Sequence, residues 1–249
     1  AKVNGTSVPA APAAGQVLTA TGPTAAAWQA PAAGDGYASV VVAAPSGVAA
    51  TDTANIQNAI NAVAGSFGGT VVLREGNYLI NATLSIPSVV CIKGQGMDIT
   101  TLFASGLPGS AAMLTAGAGN NLIHIQDLTL NFNKVGRGAI TALDDVHFTG
   151  QDNRFTRVKF IGNAGATCLS FGTIANGLHN IVDACQFIMN GSANATALFG
   201  GGDLYVSNCY FNNTVTMLRM ITVGFNAYIC NNLFELGAGG TQVIFSNGG

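Results

Sequence analysis

The side chains able to do acid–base or ionic chemistry are few: eleven Asp and Glu and nine Lys and Arg in 249 residues. They are unevenly placed. Lys134, Arg137, Arg154, Arg157 and Lys159 fall within 134–159, together with Asp144, Asp145, Asp152 and His147. The adjacent Asp144 and Asp145 are the candidate catalytic pair, because hydrolysis of a sugar linkage with inversion needs two carboxyl groups about 6.5–9.5 Å apart, one of them protonated. Lys134, Arg137, Asp144, Asp145, His147, Asp152 and Arg154 form the candidate binding set, for a saccharide or a receptor. The plainer alternatives are that a long loop carries charge for solvation, or that these charges pair between subunits. No two cysteines have Cys-x-x-Cys spacing and His124, His147 and His179 are scattered, so no metal site and no cofactor are expected. Asp127, Asp183 and Asp203 stand far apart with no Arg beside them in sequence, which does not indicate calcium.

The rest of the chain is apolar. Charged residues make up 8% and hydrophobic residues 49%, with 33 glycines and a net charge of −2. Such apolarity with so little net charge excludes a disordered chain. The weak acidity, with a pI near 5.8, argues against a nucleic-acid partner, which would select a basic face. No apolar run approaches the roughly 18 residues of a membrane span. No Lys/Arg-led signal peptide opens the chain, which starts at Ala1. Five cysteines are too few for a disulfide scaffold, and an odd count leaves one unpaired. A chain this poor in charge either has an Asn/Thr/Ser/Gly surface or hides surface against partners.

The apolar residues repeat. Leu130, Phe160, Phe187, Phe211 and Phe234 follow one another at spacings of 30, 27, 24 and 23 residues. Five positions before each lies a large apolar residue (Ile125, Phe155, Val182, Val206, Ile229). Two positions before each lie Leu128, Val158, Cys185, Cys209 and Asn232. The residues between are mostly polar, as strand alternation requires. A period of this length with short strands indicates a solenoid of six to eight coils, with the phenylalanines stacked inside. Cys185 and Cys209 share one repeat position, so they are expected as stacked free thiols: rungs about 4.8 Å apart hold Cβ atoms beyond the usual disulfide reach. Cys91, Cys168 and Cys230 are expected to behave as small buried hydrophobes.

Ahead of the repeat, Asp52 is placed to cap a helix near 52–64, with Ile56, Ala59, Ile60 and Val63 on one face and Gly65 as the stop. This helix, followed by Gly68-Gly69-Thr70-Val71-Val72-Leu73, Gly76-Asn77-Tyr78-Leu79-Ile80 and Ile92-Lys93-Gly94-Gln95-Gly96, resembles the start of the pectate-lyase-like right-handed parallel β-helix proteins. The resemblance implies an all-β fold, a right-handed parallel β-helix (solenoid) with a short N-terminal capping helix, over 36–249. It does not fix an activity, since that superfamily includes lyases, hydrolases, isomerases and inactive spikes. Asp144-Asp145 and Arg157-Val158-Lys159 look superficially like the Asp pair and Arg-x-Lys of polygalacturonase-type hydrolases. Here, though, no Asn-x-Asp or Gly-His-Gly accompanies them, and Arg157 and Lys159 read better as outward neighbours of an inward Val158.

Residues 1–35 are different: Ala-, Pro-, Gly- and Thr-rich, with the one tryptophan, Trp28. Gln16–Ala20 and Ala26–Gln29 flank Thr21-Gly22-Pro23-Thr24, which reads as a small hairpin. Val3-Asn4-Gly5-Thr6-Ser7-Val8-Pro9, Gly15-Gln16-Val17-Leu18-Thr19-Ala20 and Ala27-Trp28-Gln29 resemble the N-terminal attachment arms of phage tail fibres and tail spikes. The resemblance implies an extended arm joined to other virion proteins through Val17, Leu18 and Trp28, a homotrimer, and a place on the virion, extracellular once assembled. Three functions follow: a structural projection that contacts host-surface polysaccharide, a polysaccharide depolymerase, or a spacer with no ligand.

Overall fold

The computed structural model describes residues 2–3, 6–7, 17–22, 25–29, 38–108, 111–117, 119–133, 146–148, 150–162, 167–171, 179–189, 196–200, 203–213, 219–223, 226–236 and 244–245. From Ala38 onward the strands form a parallel β-solenoid, each coil contributing rungs to three ladders. The first ladder runs from Ala38–Val41 through Gly69–Val72, Val90–Lys93, the first half of His124–Asn131, the first half of Arg154–Gly162, Asn180–Asp183 and Leu204–Ser207 to Ala227–Cys230. The second runs from Gly76–Ile80 to Leu233–Leu236, and the third from Leu84–Ser85 to Ile244–Phe245. Seven strands in the third ladder mean seven coils among the described residues, within the range that the period predicts.

The register is the sequence repeat. Ile125, Phe155, Val182, Val206 and Ile229 are successive partners in the first ladder. Leu130, Phe160, Phe187, Phe211 and Phe234 are successive partners in the second. The four phenylalanine rings lie face to face, with centroids 4.6, 4.7 and 4.9 Å apart. That separation is the rung spacing, so the stack follows from placing one phenylalanine at one position of four successive coils. Cys185 and Cys209 are free and buried, and their thiols donate to backbone carbonyls, Cys209 Sγ to Ser207 O at 3.1 Å. Cys168 is also buried, but Cys91 and Cys230 are half-buried because they occupy outward positions of the first ladder.

One residue turns the chain from the first ladder into the second. In the last five coils it is Asp127, Arg157, Ala184, Asn208 and Asn231, with φ of 58, 51, 51, 55 and 52°. Asn and Asp tolerate this left-handed conformation; Arg157 and Ala184 hold it because the stack above and below imposes it. Where the chain starts the first ladder, Asn153 and Asn180 are fully buried and stacked. Asn180 Oδ1 accepts from Asn153 N at 3.0 Å, and Asn153 Oδ1 accepts from Ile123 N at 3.1 Å.

The helix spans Ala49–Ala64 and buries Ile56, Ala59, Ile60 and Val63 in the solenoid core. Asp52 is not its cap. The N-cap is Val48, without a side-chain bond, and Asp52 is buried in the first turn. Its carboxylate accepts from Ser46 N and Ser46 Oγ at 2.7 Å and from Leu79 N at 3.0 Å. Thr53 Oγ1 accepts from Asn81 N at 3.1 Å, and Gln57 Oε1 from Ser85 N at 2.9 Å. These three amides belong to the first coil of the second and third ladders, where no earlier strand exists to pair with them. The helix therefore closes the open edge with side chains as well as covering the core.

In the N-terminal segment, Val17–Gly22 and Ala25–Gln29 form the expected antiparallel hairpin, with Leu18 opposite Trp28 and Val17 opposite Gln29. Lys2–Val3 and Thr6–Ser7 extend it to four strands.

Candidate functional site

Among the described residues, ionic side chains gather on the outward face of the first ladder and at its corner with the second. Alternation along each strand points His124 and Gln126, Arg154 and Thr156, Ile181 and Asp183, and Tyr205 and Ser207 away from the core. Arg157, at the corner, reaches back one coil and grips Asp127 with two bonds, Nε to Oδ1 at 2.6 Å and Nη2 to Oδ2 at 3.0 Å. Lys159 Nζ donates to Asp98 at 2.7 Å. One coil further, Ser207 Oγ and Asn208 Nδ2 donate to Asp183 Oδ1 at 2.7 and 2.8 Å. Val158 between Arg157 and Lys159 is fully buried, as alternation requires.

These contacts set protonation. The Arg157 guanidinium holds the Asp127 carboxyl below the usual carboxylate range, against a smaller opposing effect of burial. The Ser207 and Asn208 donors, helped by the charge of Arg154, do the same for Asp183. Burial, then the positive charges of Arg154 and Arg157, push His124 below the ordinary imidazole value. Its Nε2 lies 3.1 Å from Thr156 Oγ1. The strip thus carries ionised carboxylates, cations and a neutral imidazole, on strands rather than loops.

A second polar column follows the positions just before the first ladder. His179 lies between two carboxylates, Nδ1 at 3.7 Å from Asp152 and Nε2 at 3.6 Å from Asp203. Asn226 Nδ2 donates to Asp203 Oδ1 at 3.0 Å. No group of three or more His, Cys, Asp or Glu among the described residues is arranged to hold a metal ion.

The residues singled out in sequence are dispersed. Lys134, Arg137, Asp144 and Asp145 lie outside the described residues. His147 sits on a strand of the third ladder, paired with Thr115 and Ser170. Asp152 precedes the first ladder and Arg154 is on its outward face, so these two and His147 are on different ladders. Arg157, Asp183, Ser207 and Tyr205, which the structure puts on one surface, were not in the candidate set. Each takes a fixed place relative to the repeating Phe, so Asp127, Arg157 and Asp183, 30 and 26 residues apart in sequence, lie on successive coils. In particular, Asp127 and Asp183 do have an arginine beside them, contributed by the coil between.

The family model of the rhamnogalacturonase A/epimerase, pectate-lyase-like proteins matches residues 43–242. The chain belongs to this family. That pectate-lyase-like match covers the helix and nearly the whole solenoid. Among solved structures, a putative glycosyl hydrolase from Parabacteroides merdae is similar at 15% identity, over 79% of this chain and 96% of that one, with a TM-score of 0.46. The A-module of the Azotobacter vinelandii mannuronan C-5 epimerase AlgE4 is similar at 16% identity, over 72% of each chain, with a TM-score of 0.38. ORF18 of Geobacillus virus E2 is similar at 16% identity, over 83% of this chain and 61% of that one, with a TM-score of 0.40. No curated protein matches the chain.

Proposed function

We propose that this pectate-lyase-like chain is a phage virion protein of the tail-spike or tail-fibre type, whose β-helix projects from the particle and contacts host-surface polysaccharide without cleaving it. The observation that carries the non-catalytic part is the state of the carboxylates on the outward strip. A glycosidase needs a carboxyl group that keeps its proton near neutral pH. Asp127 and Asp183 are instead drawn to the ionised form by Arg157 and by Ser207 with Asn208. The Arg157 guanidinium, bound twice to Asp127, is a fixed cation and not a base. What remains is a rigid row of donors and acceptors, suited to hydroxyl-rich ligands.

The attachment half of the reading rests on the N-terminal residues Val3–Pro9, Gly15–Ala20 and Ala27–Gln29, which resemble virion arms. A homotrimer would bury weakly charged flanks, give Trp28 a partner and let three weak sites act together. A depolymerase is the second reading, favoured by membership of a family named for a rhamnogalacturonase and an epimerase. The test is to incubate the purified protein with surface polysaccharide from candidate host cells and follow polymer length and co-elution by size-exclusion chromatography. Co-elution at unchanged length is the expected result. Shortened polymer would replace it with the depolymerase, and neither effect, in a panel containing the true host, would leave a spacer.

A further inference from the structure

Two exposed tyrosines stand at one outward position of the first ladder in the last two coils. Tyr205 and Tyr228 are direct rung partners and are 45% and 61% exposed. Their ring centroids lie 6.2 Å apart at an interplanar angle of 42°. Neither hydroxyl has a hydrogen-bond partner among the described residues. Earlier coils place Thr70, Cys91, His124, Arg154 and Ile181 there, so the aromatic pair is confined to this end. Beside the rings is a groove of about 230 Å³, lined by Asp203, Leu204, Tyr205, Asn226, Ala227 and Tyr228.

We infer that this groove is a saccharide subsite that takes neutral sugar residues rather than uronates, an assignment that rests on the glycan-contacting reading above. A pyranose ring has an apolar C–H face and a rim of hydroxyl groups. The tyrosine rings offer flat apolar surface to the face. Asp203 and Asn226 serve the rim: their mutual bond uses Oδ1 and one N–H, Oδ2 faces His179 at 3.6 Å, and each carboxylate oxygen keeps a further lone pair while the Asn226 amide keeps a second N–H. The two rings climb along the solenoid axis, so a chain laid along that axis meets them in succession. Asp203 is the charged residue that lines the groove, with His179 and then Asp152 following it in one column, and Arg154 stands two rungs from Tyr205, beyond Ile181. A uronate carboxylate in the groove would meet the like charge of Asp203 at closest range.

The test uses the full chain and three probes, cellohexaose, chitohexaose and hexagalacturonate, read by saturation-transfer NMR and titration. Binding of at least one neutral probe is expected, weakened roughly tenfold in Tyr205→Ala and in Tyr228→Ala. Tyr228→Phe keeps the ring and should keep the binding. Equal melting midpoints would show that the exposed substitutions leave the fold intact. Neutral binding unaffected by either alanine variant would overturn the subsite and leave the glycan-contacting reading standing. Preference for hexagalacturonate that depends on the tyrosines would overturn the assignment to neutral sugars. Failure of all three probes, while host polysaccharide still co-elutes with the protein, would overturn the subsite alone; failure of both would overturn the two together.

Discussion

Asp52 offers a sharp test of how the solenoid is closed. In Asp52→Ala the helix keeps its length, because alanine is a good helix former and the N-cap is elsewhere. What disappears is the acceptor for Leu79 N and for Ser46. Ser46 is exposed, so water replaces the lost bonds there. The Leu79 amide faces the helix and has no strand to turn to. A bond to a charged acceptor contributes about 1.5–3 kcal/mol, and a buried N–H left unpaired costs about 1–3 kcal/mol, so the local loss should be about 2–4 kcal/mol. Native-state hydrogen exchange reads it by residue. The Leu79 amide should exchange roughly thirtyfold faster or more, the equivalent of about 2 kcal/mol. Amides of Leu204–Ser207 should not change, because each coil touches only its neighbours. Unchanged exchange at Leu79 would refute the argument that the side chain closes the edge. Equal acceleration through all coils would refute its locality.

Phe187→Ala removes the second ring of the stack and opens a cavity between Phe160 and Phe211; a loss of about 3–5 kcal/mol is expected in urea unfolding. Ala184→Asn puts a residue that tolerates φ near 51° into the corner column and should gain about 0.5–1 kcal/mol, seen as a higher urea midpoint at unchanged slope. Asp127 has a folded pKa below its unfolded value, so its contribution is present above about pH 4 and fades as pH falls through the folded value. Being a partly exposed pair, Asp127–Arg157 should contribute no more than about 1 kcal/mol, and the acid limb of the stability curve should flatten in Asp127→Asn. His124 is the reverse case for a base: its folded pKa is lowered, so the unfolded chain binds the extra proton and stability falls as pH drops below about 6.5. His124→Gln should remove that fall, measured by thermal melts between pH 7 and 5.

The fold was legible because one physical constraint, stacking in register, repeats the same choice in every coil. The near-regular spacing of Phe160, Phe187, Phe211 and Phe234 implies the ladder that they form. Asn232 broke the apolar pattern at its position and still fits: its Oδ1 accepts from Cys209 N at 2.8 Å and its Nδ2 donates to Val206 O at 3.0 Å. The role of Asp52 is hidden in the sequence for the opposite reason. Its main partner, Leu79 N, is 27 residues away, and a local capping rule sees only the nearest helix end. The candidate site was the least legible part. The described part of the sequence cluster at 134–159 spreads over three ladders, with Arg154 on the first, Lys159 on the second and His147 on the third, whereas Asp127, Arg157 and Asp183 converge from three coils. Proximity in a solenoid is set by position within the repeat, and Tyr205 and Tyr228 become a pair only when read that way.

The helix fixes where the stack begins, and among the described residues no contact fixes how many rungs follow. From Phe160 to Phe211 each coil presents the next one with the same parallel edge, the same inward phenylalanine and the same one-residue corner. A whole coil could be gained or lost between Phe160 and Phe211 without unpairing a ladder or disturbing Asp52, Thr53 and Gln57 at the closed end. Length is therefore an adjustable quantity in this architecture, graduated in steps of about 4.8 Å. Such a chain is a ruler that duplication lengthens without redesign.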